Sequence, residues 1–205
     1  MDPQIALLLT YMLLALVVSA LCSFLEATIL STPMSYVTTL EAQGVKGWQR
    51  LKQYKTNIDR PISAILIVNT IANTVGASLV GSQAAGYAAK HYSTSDETSL
   101  FVGVVSAVFT LLVLIFSEIF PKTVATAYWR RFAIPASSAI RVYIMLTYGL
   151  VVLLEKMTRS VSSNSTQESV TRDEVAAIVT VGTQEGVLEK KENRMIQHLL
   201  KLDSI

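Results

Sequence analysis

Charge is scarce in this 205-residue sequence: Asp, Glu, Lys and Arg make up 16% of it, against 51% hydrophobic residues. A soluble domain carries about 25% charged residues, so a water-soluble enzyme is not what this composition describes. Cysteine is scarcer still. The single one, Cys22, lies in an apolar run and can form neither an internal disulfide nor a thiolate metal site. No excess of one sign exists either: a net charge of +2 lacks the concentrated basic surface of a nucleic-acid binder. The two histidines, His91 and His198, fall outside the apolar runs, so no Ser–His pair is available at membrane depth for an intramembrane hydrolase. No internal repeat of useful length is present. What remains is an all-α membrane protein without catalytic residues.

Long uncharged runs are what the chain has instead. A bilayer core of about 30 Å takes roughly 20 apolar residues to cross as a helix. Four stretches qualify: Pro3 to Leu25, Pro61 to Ala89, Thr98 to Ser117, and Phe132 to Leu154, the last interrupted by Pro135 and Arg141. The first has no basic flank and is too long for a signal-peptide core, so it reads as a retained span. Lys46, Arg50, Lys52, Lys55 and Arg60 follow the first run, Lys122, Arg130 and Arg131 follow the third, and the opposite side offers Lys90. Basic loops stay cytoplasmic, which puts the N-terminus outside and the chain inside after three crossings of the cell membrane. Arg141 would cost a few kcal/mol at the bilayer centre, so the fourth run is expected as an amphipathic belt helix along the inner face, with a fourth span as the alternative. Spans are expected at about 4–30, 62–89 and 99–120, and the interfacial helix at about 133–155, within a transmembrane domain over 1–158.

The remaining 159–205 are different in character: 13 of the 32 charged residues lie in these 47 positions. A linker is expected from Ser160 to Ser169. Thr171 and Glu174 have capping-box spacing ahead of a helix with Val175, Ile178 and Val179 on one stripe. Gly182 and Gly186 are expected to end it, and Leu188 to Leu202 forms a second amphipathic helix carrying Met195, Ile196, Leu199 and Leu200. Two short helices cannot bury enough surface to be a domain, so this part reads as a cytoplasmic connector to a partner outside the chain.

Polar residues inside the runs carry the functional signal, because polar groups at membrane depth are expensive. Ser19, Ser23 and Glu26 share a helix face in the first run. Asn69 and Asn73 are four apart in the second, near Ser78 and the small residues Ala72, Gly76 and Ala77, which let another backbone approach. Ser117 and Glu118 end the third. Pro121 has no N–H to give the carbonyl of Ser117, four residues earlier. Hydroxyls, amide oxygens, one freed carbonyl and one carboxylate form a hard-oxygen set that disfavours zinc and copper. Magnesium, at about six oxygens near 2.1 Å, fits best, with sodium and calcium compatible by ligand type. Ordinary readings stand beside this. Ser19 and Ser23 are equally the residues of helix packing, Glu118 suits a protonated hydrogen-bonding role or an i, i+4 pair with Lys122, and Glu26 suits an interface charge or an ion vestibule. The case rests on three helices converging.

Three stretches, SALCSFLEATILST from Ser19, NTIANTVGAS from Asn69 and above all SEIFPKTVA from Ser117, resemble the transmembrane domain of the CorC and cyclin M magnesium transporters. The segment from Val170, VTRDEVAAIVTVGTQEGVLEKKENRMIQHLLKLD, is similar to the acidic helical connector that leads in that family to a pair of cystathionine-β-synthase (CBS) motifs. The Glu118 to Thr123 element is the most specific part. The resemblance implies a homodimer in membrane lipid, three spans per subunit with an inner belt helix, and Mg²⁺ export, with Na⁺ as the candidate exchange ion. It implies an ion site of Ser19, Ser23, Asn69, Asn73, the Ser117 backbone and Glu118. Many relatives carry a small residue such as glycine where this sequence has Ser117 and Cys22. ATP binding would belong to the CBS pair, expected after Ile205. A membrane-anchored Mg²⁺ sensor or regulatory scaffold is the alternative function.

Overall fold

The structure is a computed structural model that describes residues 3–162, 172–184 and 186–202. Among these residues there is no strand. The first compact unit, Met1–Ser160, is built on helices that are apolar around much of their circumference. Helix α1, Pro3–Ser31, is about 44 Å long at 1.5 Å per residue, enough to cross a bilayer. It ends where Pro33 forbids continuation, since the residue before a proline is pushed out of helical geometry. Thr28 and Thr32 return their hydroxyls to the carbonyls of Phe24 and Thr28, which satisfies these two buried donors at the end of α1.

Two short helices follow, α2 at Met34–Ala42 and α3 at Trp48–Thr56. They fold back on each other through Gly44 and Gly47, both at positive φ, and Glu41 pairs with Lys52 at 2.6 Å. At Gly47 a side chain would also meet Ile134 at 3.1 Å, a tight contact added to the strain of φ 97°. Val37, Leu40, Leu51 and Tyr54 turn inward and join Leu25 and Ile29 of α1 in one core cluster.

Helix α4, Asp59–His91, lies against α1 along its length, and α5, Ser95–Leu112, returns beside it. A second core cluster, Leu8, Ala15, Val80, Ala84 and Phe109, joins α1, α4 and α5. The closest approach is at Gly76, where a Cβ would stand 2.5 Å from the Ala15 Cβ. Small residues allow this contact, as they do between helices in lipid. Gly76→Val is accordingly expected to force α1 and α4 apart and cost about 1–3 kcal/mol of stability, read as a lowered midpoint of thermal unfolding in detergent. An unchanged midpoint would show that the two backbones are not held at this distance.

Large apolar side chains face outward on these helices, with Leu13 63%, Leu100 71% and Phe116 57% exposed. In water that would be a liability, but in lipid these are the residues that belong outside. Among the described residues three helices are long and apolar enough to cross a membrane: Pro3–Ser31, Asp59–His91 and the kinked Ser95–Leu146. The last includes a π-helical stretch at Val113–Ile119 and α6 at Phe120–Leu146.

The stretch expected as a helix at about 133–155 lies beyond a kink that divides α6 in two. α6 starts at Phe120, kinks where Tyr128 leaves helical geometry (φ −117°, ψ 20°), and passes through Pro135 to Leu146. Burial of Ala133, Ala136, Ser137 and Ile140 against the core holds the segment helical despite the proline. Beyond the kink it packs beside α1, α2 and α3: Phe24 meets Phe132 edge-on at 5.0 Å, Tyr36 meets Trp129 in the same way, and Arg50 donates to Ser138 Oγ at 2.8 Å. A further break comes at Thr147, after which α7 runs Tyr148–Ser162.

The second unit, Val161–Ile205, contains α8 at Arg172–Gln184 and α9 at Lys190–Leu202. Gly182 does not end α8, which continues two residues beyond it. Its carbonyl instead accepts from the N–H groups of Val187 and Leu188, closing the turn with Gly186 at φ 77°. Glu192 accepts from the backbone N–H of Glu189, the side-chain half of a capping box at the start of α9. Gln197 of α9 donates to the Ala176 carbonyl of α8. The linker expected over 160–169 lies outside the described residues except for its first three positions, which belong to α7, and so does Thr171 of the expected capping pair.

Candidate ion site between three helices

Side chains at i and i+4 share one face of a helix, and this spacing aims Ser19 and Ser23 from α1, and Asn69 and Asn73 from α4, into the interior. The third contribution needs a change of winding. Pro121 cannot supply an N–H to Ser117, and the seven residues before Phe120 wind as a π-helix, with the Phe120 N–H reaching back to the Ile115 carbonyl. In this stretch Leu114, Ile115, Phe116 and Ile119 face outward while Ser117 is fully buried.

A continuous chain of hydrogen bonds then links the three helices. Ser19 Oγ donates to Asn69 Oδ1 at 2.8 Å, and Asn69 Nδ2 donates to Glu118 Oε1 at 3.3 Å. Asn73 Nδ2 makes a long contact to the same Asn69 Oδ1, 3.4 Å. Two oxygens are left over: Ser23 Oγ and Asn73 Oδ1 are buried and have no hydrogen-bond partner. Each unmet buried polar atom costs on the order of 1–3 kcal/mol, and oxygen lone pairs without a donor are what a cation would satisfy.

Of the six residues singled out as an ion site, Ser19, Asn69, Asn73 and Glu118 are joined directly by these bonds. Ser23 lies one turn further along α1. Ser117 is adjacent to Glu118, but its hydroxyl is committed elsewhere, donating to the Leu16 carbonyl at 3.0 Å. Glu118 uses its second oxygen on Lys122, with Nζ–Oε2 at 3.0 Å, and the same ammonium lies 3.3 Å from Glu26 Oε2 of α1. The i, i+4 spacing foretells the first pair. Nothing in the sequence foretells the second, or the tie between Ser117 and Leu16. Ser78, by contrast, faces outward, away from the buried set.

Among the described residues no three His, Cys, Asp or Glu side chains are grouped to hold a metal. An ion here would therefore draw most of its ligands from hydroxyl, amide and backbone oxygens, which suits a hard cation. A cavity of about 520 Å³ opens between α1, α4 and the start of α7, but Leu14, Val68, Ile71, Val75 and Leu150 line it and it offers an ion almost nothing polar.

With this geometry in place, comparison with known proteins decides the family. The Cyclin M transmembrane N-terminal domain matches residues 10–192. The chain belongs to that family. It is 30% identical to a UPF0053 protein of Synechocystis over 187 residues, 91% of this chain and 51% of the relative. It is 25% identical to a UPF0053 protein of Haemophilus influenzae over 95% of this chain and 45% of the relative. The UPF0053 inner membrane protein YfjD of Escherichia coli is 30% identical over 76% of this chain and 32% of that protein. The chain thus spans about half the length of the curated relatives it matches. Cyclin M membership and the three long apolar helices among the described residues make it a helical membrane protein.

Proposed function

We propose that this chain is the ion-translocating part of a Mg²⁺ transporter, in which the cation is held between α1, α4 and the π-helical stretch before α6. One observation carries the reading: the Ser19–Asn69–Glu118 chain spans all three helices and leaves the oxygens of Ser23 and Asn73 buried without partners. Glu118 supplies the negative charge, the Asn69 and Asn73 carboxamides and the Ser19 and Ser23 hydroxyls supply neutral oxygens, and the Ser117 carbonyl completes the set. Magnesium sheds water reluctantly and demands near-octahedral placement, so ligands on three separate helices make its affinity sensitive to how those helices stand relative to one another. Alternating access would use that sensitivity, with the site tight in one arrangement and open in the next.

The finer parts of the proposal follow from family likeness: export, with Na⁺ as the exchanged ion, by a homodimer in the plasma membrane, N-terminus outside and C-terminus cytoplasmic. Control by ATP would be exerted through a CBS pair further along the protein. The experiment is a flux assay in sealed vesicles carrying the purified chain and an internal Mg²⁺ indicator. Mg²⁺ movement that depends on Glu118 supports transport. Saturable Mg²⁺ binding with no movement across the vesicle wall would make the protein a membrane-anchored sensor or scaffold instead.

A further inference from the structure

Lys122 stands where carboxylates from two helices meet. Its Nζ is 3.0 Å from Glu118 on its own helix and 3.3 Å from Glu26 on α1, and its side chain is 43% exposed, so it is not locked into the core. A purely local helix pair would need Glu118 alone. The second carboxylate comes from another helix and provides somewhere for the ammonium to go. Glu118 already accepts from Asn69 at Oε1 and from Lys122 at Oε2, so a cation arriving at Glu118 meets a positive charge already in place. A divalent ion and an ammonium on one carboxylate repel each other at short range, where water screens least. Lysine, a compact charge on a flexible four-carbon stem, can withdraw without moving the helix.

From this we infer that Lys122 is a tethered counter-cation: it neutralises Glu118 while no ion is bound and withdraws to Glu26 when a divalent cation takes Glu118. The inference rests on the reading of Glu118 as an ion ligand given above. Its consequence is a site whose affinity is held down by a built-in competitor, which suits conduction, where an ion must bind well enough to enter and weakly enough to leave. Glu26 is then a positioning residue for the ammonium and not itself a ligand.

The test is isothermal titration of the purified full chain with MgCl₂. K122M is expected to bind Mg²⁺ about tenfold more tightly, because the competing charge is gone, and E26Q about tenfold more weakly, because the ammonium then has only Glu118. In the double variant K122M/E26Q the effect of E26Q should vanish, a pattern that a packing role for either residue does not produce. If K122M unfolds, E26Q leaves the Lys122–Glu118 pair intact and decides the matter by its sign. Equal or tighter binding by E26Q overturns the inference, as does weaker binding by a folded K122M or an E26Q effect that persists in the double variant. Should wild type bind and E118Q not bind while these patterns fail, the counter-cation falls and the ion site stands. No Mg²⁺ binding by wild type removes the site itself.

Discussion

Glu118→Gln is expected to abolish Mg²⁺ flux and to weaken Mg²⁺ binding at least 100-fold, about 2.7 kcal/mol. The substitution keeps the shape and the hydrogen-bonding reach of the side chain but removes the one negative charge joined to the oxygen cluster. At 4 Å and an effective dielectric constant of about 20, a carboxylate attracts a divalent ion by roughly 8 kcal/mol before the cost of shedding water is deducted, and no neutral amide replaces that. The fold should survive, since Asn69 still has an oxygen to donate to and Lys122 keeps Glu26. Titration and vesicle flux on the same preparation check this. A Glu118→Gln protein that binds and moves Mg²⁺ as wild type does would place the ion elsewhere.

Asn73→Ala should separate function from stability. In the structure Asn73 is a poor structural residue: its amide reaches Asn69 only at 3.4 Å and its Oδ1 is buried with no partner. Removing an unmet buried acceptor relieves on the order of 1 kcal/mol, against a small packing loss, so the thermal midpoint is expected to stay level or rise. Mg²⁺ affinity, in contrast, should fall about 10–100-fold, since the small rigid coordination shell of this ion tolerates few missing oxygens. Loss of binding together with preserved or improved stability is the signature of a residue kept for a ligand and not for the fold. A fall in stability with unchanged binding would assign Asn73 to helix packing.

Much of this site was legible because helical spacing is rigid. Ser19 with Ser23 and Asn69 with Asn73 had to share faces, and uncharged runs of bilayer length had to form long helices. That the faces turn toward one another depends on contacts far apart in the chain, such as the close approach of Gly76 to Ala15, which no local pattern encodes. Pro121 signalled a disturbed third helix but not its form. A π-helical stretch arises from the balance between a missing N–H and the packing of Ser117 on Leu16, 101 residues away in sequence. Pro135 misled in the opposite direction. It read as an interruption of the fourth apolar run, yet buried neighbours carry the helix through it and the chain bends earlier, at Tyr128. Glu26 reads from sequence as an interface charge or part of an ion vestibule, and the structure sets Lys122 between it and Glu118.

The most direct test is to locate the ion. The protein would be crystallised or imaged at high Mg²⁺, with Mn²⁺ substituted in a parallel sample so that its anomalous scattering identifies the metal. The account predicts one peak bounded by Asn69, Asn73 and Glu118, with Ser19 or Ser23 oxygens from α1 completing its shell at about 2.1 Å for Mg²⁺. A peak at a different place in the bundle, or these side chains still bonded only to one another at saturating metal, would contradict it.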